Sequence, residues 1–343
     1  MTARIHQLPA RPDTVHWGYF DHATEPALTV SSGDLVEIET LTHHAGDAPD
    51  LLMDGGIERV FDEVSDRGPG PHLLTGPIAV SGARPGDVLS VEILSAEPRL
   101  AHGSNLAAHW GALYEEFQKE RVTIFELDAD AMLGRALFAF DWQTTPLVEA
   151  PGTIVEPGSV VREPALEGVV VPLRPHLGTM GVAPAERGRH SSVPPGEHGG
   201  NIDNWRIGAG ARMHYPVQVA GALLSLGDPH VSQGDGEVSG TALEASLNVV
   251  VRLSLRSDIT LDAPVLETPT ELMVHGFGDD LDEAMHSAAL RTIDLLGSRF
   301  GLSRDDAYAF SSLAVDFVVT QVVDGRQGVH GRIDKRCFGF LPR

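Results

Sequence analysis

The chain opens on short runs in which apolar and polar residues alternate, each entered by a turn. Ser31-Ser32-Gly33-Asp34 precedes LVEIETL, where Val36, Ile38 and Thr40 share one face and Leu35, Glu37 and Glu39 the other. Arg84-Pro85-Gly86-Asp87 precedes VLSVEIL, with Leu89, Val91 and Ile93 pointing inward. A period of two predicts half-buried strands, and Gly-Asp is turn chemistry. Further strands are expected over 122–127, 136–141, 167–173, 217–226, 248–256 and 314–323.

Helical spacing is scarcer. Asp279 or Asp280 can cap a segment running to about Arg299, with Gly301 as its stop. Leu281, Ala284, Met285, Ala288, Leu295 and Leu296 mark one face, Ala289 and Ile293 its edges, and Thr292 interrupts it. Ser303 caps a second helix with an acidic first turn, Asp305 and Asp306. Strand, helix, helix, strand over 270–323 predicts a small α+β unit at the C-terminal end. Between 174 and 240 the pattern breaks down into Gly, Pro, His and acids, a long irregular stretch of the kind that usually carries function.

Composition sharpens this picture. The 37 glycines and 23 prolines favour a turn-rich β chain over a helical bundle. The formal charge of −23 is dispersed, which argues against nucleic acid and anionic membrane as partners. No apolar stretch approaches the roughly 18 residues of a membrane span, and none near the start resembles a signal segment, so no membrane association is expected. The single cysteine, Cys337, excludes internal disulfides and fits a reducing cytoplasm. Only two lysines occur, Lys119 in EEFQKE, read as an exposed helix face, and Lys335. Neither is served by a Gly/Ser-rich loop, which disfavours a Ser–Ser–Lys amide hydrolase. Cys337, read as a small packed thiol, disfavours a Glu–Lys–Cys site.

Candidate chemistry concentrates in PPGEHGGNID (194–203) and GDPHVSQGDGEVSGTALE (227–244). Together they offer His198, Asp203, Asp228, His230, Asp235, Glu237 and Glu244 among glycines that let the backbone approach a small ligand. Asp228 and His230, two apart in extended chain, point to the same side, as two ligands of one cation could. Mixed His/carboxylate ligation with an open position suits a hydrolytic Zn²⁺. The same Gly-Asp dipeptides are also ordinary turns, and no strict zinc signature is present. Ca²⁺ on a non-catalytic binding protein is the competing reading; imidazole among the ligands would disfavour it. His43-His44, followed by Asp47, Asp50 and Asp54, could reach the site or form a surface loop, and His72 is poised between turn packing and the site. Trp17, Trp110 and Trp205 are candidates for pocket walls.

These segments, with GPHLLTGPIAVSGARPGDVLSVEI (70–93), MGVAP (180–184) and VHWG (15–18), resemble the acetamidase/formamidase family. The resemblance runs from about residue 14 to 325. It implies a β-rich α+β protein with sandwich-like and barrel-like parts and a small C-terminal α+β unit; the pattern along the chain is read as an N-terminal sandwich-like domain over 1–160, a central β domain with the Gly/His/Asp-rich loops over 161–262 and an α+β domain over 263–343. It implies a metal-dependent hydrolase of small carboxamides that assembles as a homodimer or higher homo-oligomer; a lactam or carbamate substrate is the alternative, and the single cysteine points to the cytoplasm. Carried over by motif, the site residues are His198, Asp203, Asp228, His230, Gln233, Asp235 and Glu237. The ligands expected are His198, Asp203 and His230, with Asp228 as the alternative, for zinc, calcium being a possible structural ion. Glu237 is the expected general base and Glu244 the second candidate. The chain departs from the family pattern at Ser239, where cysteine is frequent, and at Glu197, where proline is common. The segment 104–120 is a candidate pocket cover of this chain's own.

Overall fold

Hydrogen bonding gathers the strands of the computed structural model, which describes residues 3–142 and 152–339, into two large sheets of nine and eleven strands and a two-stranded ribbon. None of these sheets closes into a barrel. The nine-stranded sheet takes strands from all three segments divided at 160 and 262, from Ile5–Leu8 to Gln327–Asp334. One large core joins the two sheets. Val36, Ile38, Leu89, Val91 and Ile93 enter it from the nine-stranded sheet, and Ile78, Phe125, Leu177 and Leu226 from the other. The alternation read from LVEIETL and VLSVEIL is therefore the alternation of the sandwich, as burial of one face requires.

Four α-helices complete the described residues. Helices α1 (Pro49–Leu52) and α2 (Gly55–Glu63) were not foreseen. Asp54 starts α2 by accepting hydrogen bonds from the Gly56 and Ile57 amides, and Ile57, Val60 and Phe61 bury its apolar face. Helix α3 (Leu281–Phe300) begins at Asp280, whose side chain accepts from the Glu283 amide, and ends at Gly301 with φ 73°. Helix α4 (Arg304–Ala314) is capped by Ser303. Both pack on the strands Glu271–Gly278, Val315–Gln321 and Gln327–Asp334, the expected α+β unit with one further strand inserted at its centre. No helix among the described residues is long and apolar enough to cross a membrane.

Several local expectations are corrected. Thr292 is fully buried, while Leu281 and Met285 are 37% and 39% exposed, so the buried stripe of α3 is narrower and rotated. The strand expected at 167–173 shrinks to Val170–Pro172, because Leu166 and Gly168 turn at positive φ. The segment 111–119 is turns, not a helix face, and Lys119 pairs with Asp141. Cys337 is exposed rather than packed. The strand expected over 217–226 instead runs over Leu224–Ser232, because Gly221, Ala222 and Leu223 all adopt positive φ and hold the chain in a turn until Leu224. This last shift matters most, since it places the GDPH segment in the middle of the eleven-stranded sheet.

Candidate active site

The strand Leu224–Ser232 pairs with His176–Gly181, with Leu243–Glu244 and with Leu73–Val80. Register sets His176 opposite His230, His230 opposite Glu244, and Glu244 opposite Ser104. Residues paired across neighbouring strands project to one face, so this row lines up polar groups from four strands. The side chains meet accordingly. His230 Nδ1 lies 3.3 Å from His176 Nε2 and 3.1 Å from Gln233 Oε1. Its Nε2 lies 3.2 Å from Asp228 Oδ2 and 3.1 Å from Glu244 Oε1.

Side-chain alternation inverts in the middle of this strand. Leu226 and Val231 both enter the large core although five positions apart, and so do Leu177 and Met180, three apart on the neighbouring strand. Regular pleating would put each pair on opposite faces. The inversion is at Asp228, whose φ is 49°. Facing it, between the pairs Leu177–Pro229 and Thr179–Gly227, is Gly178. A Cβ on Gly178 would lie 2.5 Å from Asp203 Oδ1, 2.6 Å from His230 Cε1 and 2.7 Å from Asp228 Oδ2. Glycine is what lets these three groups close over the strand. Gly178→Ala is expected to retain the fold at a cost of about 1–3 kcal/mol, the range for overpacking. Activity should fall by about 10²-fold, as displacements of about an ångström cause. Parallel thermal melts and turnover assays check this; unchanged turnover overturns it.

Above the row lies a cavity of about 270 Å³ lined by His43, His44, His72, Asp203, Asp228, Glu237, Glu244, Asp324 and Trp110. His43 and His44 arrive on a buried 3₁₀ turn, His43–Asp47, and not on a surface loop. Asp47 Oδ2 lies 3.1 Å from His44 Nδ1 and accepts from Ser104 Oγ at 2.5 Å. His72 is oriented by Ser192, its Nδ1 2.8 Å from the hydroxyl. Its Nε2 then lies 3.7 Å from Asp228 Oδ2, and His43 Nδ1 lies 3.8 Å from Asp228 Oδ1. Both separations exceed a hydrogen bond.

Burial drives His43 well below the usual imidazole range, and the neighbouring His44 and His72 add to this. His72 is lowered by burial as well, so both rings are neutral near pH 7. His44 behaves oppositely: burial pulls it down, but the charge and hydrogen bond of Asp47 outweigh this and bring it to about 9. Burial would raise Asp228, yet the charge and hydrogen bond of His230, itself raised well above the usual imidazole range, hold it well below the carboxylate range. Asp203 is pushed up to about 7 by burial and by Asp228, against His230. Glu237 and Asp324 rise well above their usual values through burial and the charge of Asp203. Five carboxyl groups this close cannot all ionise without a counter-charge.

Among the described residues, four overlapping trios of donors lie within 4.8 Å of one another: His43, His72 and Asp228; Asp203, Asp228 and His230; His230, Glu237 and Glu244; Asp203, Glu237 and Asp324. Buried atoms of these groups lack hydrogen-bond partners, among them His43 Nδ1, Asp203 Oδ1, Glu237 Oε2, Glu244 Oε2 and Asp324 Oδ2. Unpaired buried polar atoms are costly, and this set of neutral nitrogens and carboxylate oxygens fits a divalent cation.

Most of the residues read from sequence thus converge, but not all. His198 belongs to none of the four trios; it packs edge-on against Phe20, with centroids 5.1 Å apart, in the tight turn Gly196–Gly199. Asp235 faces away and pairs with Arg206. Asp50 pairs with Arg162, and Asp54 caps α2. Of the tryptophans, Trp110 lines the cavity, its Nε1 donating to Gly240 O at 2.7 Å, whereas Trp17 is core. His176, Gly178 and Asp324 were not singled out. Asp324 sits in an Asp-Gly dipeptide that reads only as a turn.

The Acetamidase/Formamidase family model matches residues 19–191 and 185–329. The chain belongs to this family of amidohydrolases. It is 37% identical over 202 residues to an acetamidase of Mycolicibacterium smegmatis, about half of each chain. It is 26% identical to a formamidase of Methylophilus methylotrophus over 74% of this chain and 73% of that one. The crystal structure of an acetamidase from Bacillus halodurans superposes with a TM-score of 0.75 at 27% identity, covering 98% of this chain and all of that one.

Proposed function

We propose that the protein hydrolyses small linear carboxamides to a carboxylate and ammonia, with a divalent cation in the cavity. The observation that carries this is the convergence of neutral imidazoles and carboxylates, with unpaired buried atoms, on one small cavity. His43, His72 and Asp228 would hold the cation. The imidazoles favour zinc over calcium, which prefers oxygen ligands throughout. There it supplies Lewis acidity towards the amide carbonyl and acidifies water, while offsetting part of the carboxylate charge. His72 is pre-oriented by its bond to Ser192, as a ligating imidazole usually is by its other nitrogen.

Of the expected ligands, Asp203 and His230 take a different part. His230 stands between Asp228 and Glu244 and orients both carboxylates. Asp203 and Asp324 bring their carboxyls within 4.8 Å of that of Glu237. Glu237 Oε2, buried and without a partner, accepts the proton of the attacking water and returns it to the departing nitrogen. An amide needs that return, because an amide anion is a very poor leaving group. At about 270 Å³ the cavity lies below the roughly 300–1,000 Å³ of sites for drug-sized ligands, which favours short amides.

Ammonia release from formamide, acetamide and propionamide, alongside ring opening of a small lactam, tests this reading. Turnover of the linear amides is the expected outcome. No ammonia from any of them, with metal loaded, refutes it.

A further inference from the structure

Asp203, Glu237 and Asp324 crowd their carboxyls within 4.8 Å although they come from three distant parts of the chain. Each is buried, so their repulsion is poorly screened. Asp203 and Glu237 also sit at φ 53° and 45°, a backbone region that non-glycine residues enter at a cost. Something must hold the three segments against this.

One side chain bridges the first two and reaches the hairpin that carries the third. The Arg206 guanidinium, three residues after Asp203, donates from Nη1 to Asp235 Oδ1 at 2.6 Å and from Nη2 to Asp235 Oδ2 at 3.0 Å. Asp235 lies two residues before Glu237, in the same turn. The Arg206 plane stacks on Trp205, 4.1 Å from the ring centre, and Nη1 lies 3.5 Å from Asn204 Oδ1. The same Nη1 lies 3.4 Å from His330 Nε2 in the C-terminal unit. His330 Nδ1 is 2.7 Å from Thr320 Oγ1, and the Thr320 carbonyl accepts from the Gly236 amide at 2.9 Å. Gly236 separates Asp235 from Glu237, and the strand that carries Thr320 leads into Asp324.

We infer that Arg206 is a positioning residue, which sets Glu237 against Asp203 and Asp324 through its two-pronged grip on Asp235. The Arg206 side chain is 10% exposed and Asp235 33%, so the pair is partly solvated and contributes little to global stability. Its planar fork fixes direction as well as distance, which lysine cannot reproduce.

The inference rests on the proposed role of Glu237, and two readouts keep the claims apart. Hydrogen exchange over 232–241 in Arg206→Ala and Asp235→Asn should be faster than in the parent, with the rest of the chain unchanged. This readout holds whatever the substrate proves to be. Turnover should fall about 10–100-fold in kcat with little change in KM. The double variant should be no worse than either single, because both remove one contact, and Arg206→Lys should recover only part of the loss. Unchanged exchange in both variants, or additive losses in the double variant, overturns the inference. Altered exchange in a protein whose parent hydrolyses no amide would leave the grip standing and sink only the amidase reading.

Discussion

Protein freed of divalent cations by a chelator is expected to release no ammonia from acetamide or formamide, and zinc should restore the activity. The expectation comes from the donor set. Burial keeps the His43 and His72 imidazoles neutral, and Asp228 is held ionised by His230. Asp228→Asn should abolish binding of the ion together with activity. The same change leaves His230 with Glu244 as its nearest remaining carboxylate, and loss of one partner from a buried ion pair costs about 3–5 kcal/mol. The variant should therefore also melt earlier. Elemental analysis beside the assay decides the matter: full turnover in protein shown to hold no metal refutes the mechanism.

Glu237→Gln is expected to lower kcat by about 10²–10⁴-fold, the usual worth of general acid–base catalysis. Glutamine keeps the size of the side chain and can still hydrogen-bond, but accepts no proton. Fold and metal content should be preserved, since the turn is tied independently by the Gly236 amide on Thr320 and the Gly240 amide on Glu237 O. Loss of metal in this variant would make Glu237 a ligand and move the base to Glu244, whose Oε2 also lacks a partner and which lies in reach of His230. Near-normal kcat with normal metal would leave Glu237 as a turn residue only.

Local chemistry was legible in the sequence wherever the signal is local. The faces of LVEIETL, the cap at Asp280 and the stop at Gly301 depend on neighbours a few residues away, and the structure has each of them. The strand 217–226 was misplaced because three successive positive-φ residues, Gly221 to Leu223, are not encoded by a turn signature. Leu281 and Met285 misled because helical spacing reports a stripe without saying how wide a neighbour covers it. At the site, Asp203, Asp228, His230, Glu237 and Glu244 stood out as motif-borne groups, and they do converge. His43 and His72 remained ambiguous because their meaning depends on the 3₁₀ turn and on Ser192, 120 residues from His72. Gly178 and His176 were invisible for a stronger reason. Only strand register sets them beside Asp228 and His230, and register is a property of the pairing, not of either strand.

The row His176, His230, Glu244 and Ser104 also bears on how the protein comes into being. Its members are separated along the chain by up to 140 residues. Contacts between such distant positions form late, because the entropy of closing the intervening loops must be overcome first. No fragment emerging early in synthesis contains the cluster, and no local hairpin can assemble it. A nascent chain therefore offers stray metal ions only scattered histidines and acids until the central sheet has zipped. Assembly of the site and completion of the fold are then one event, which confines amide cleavage to molecules that have finished folding.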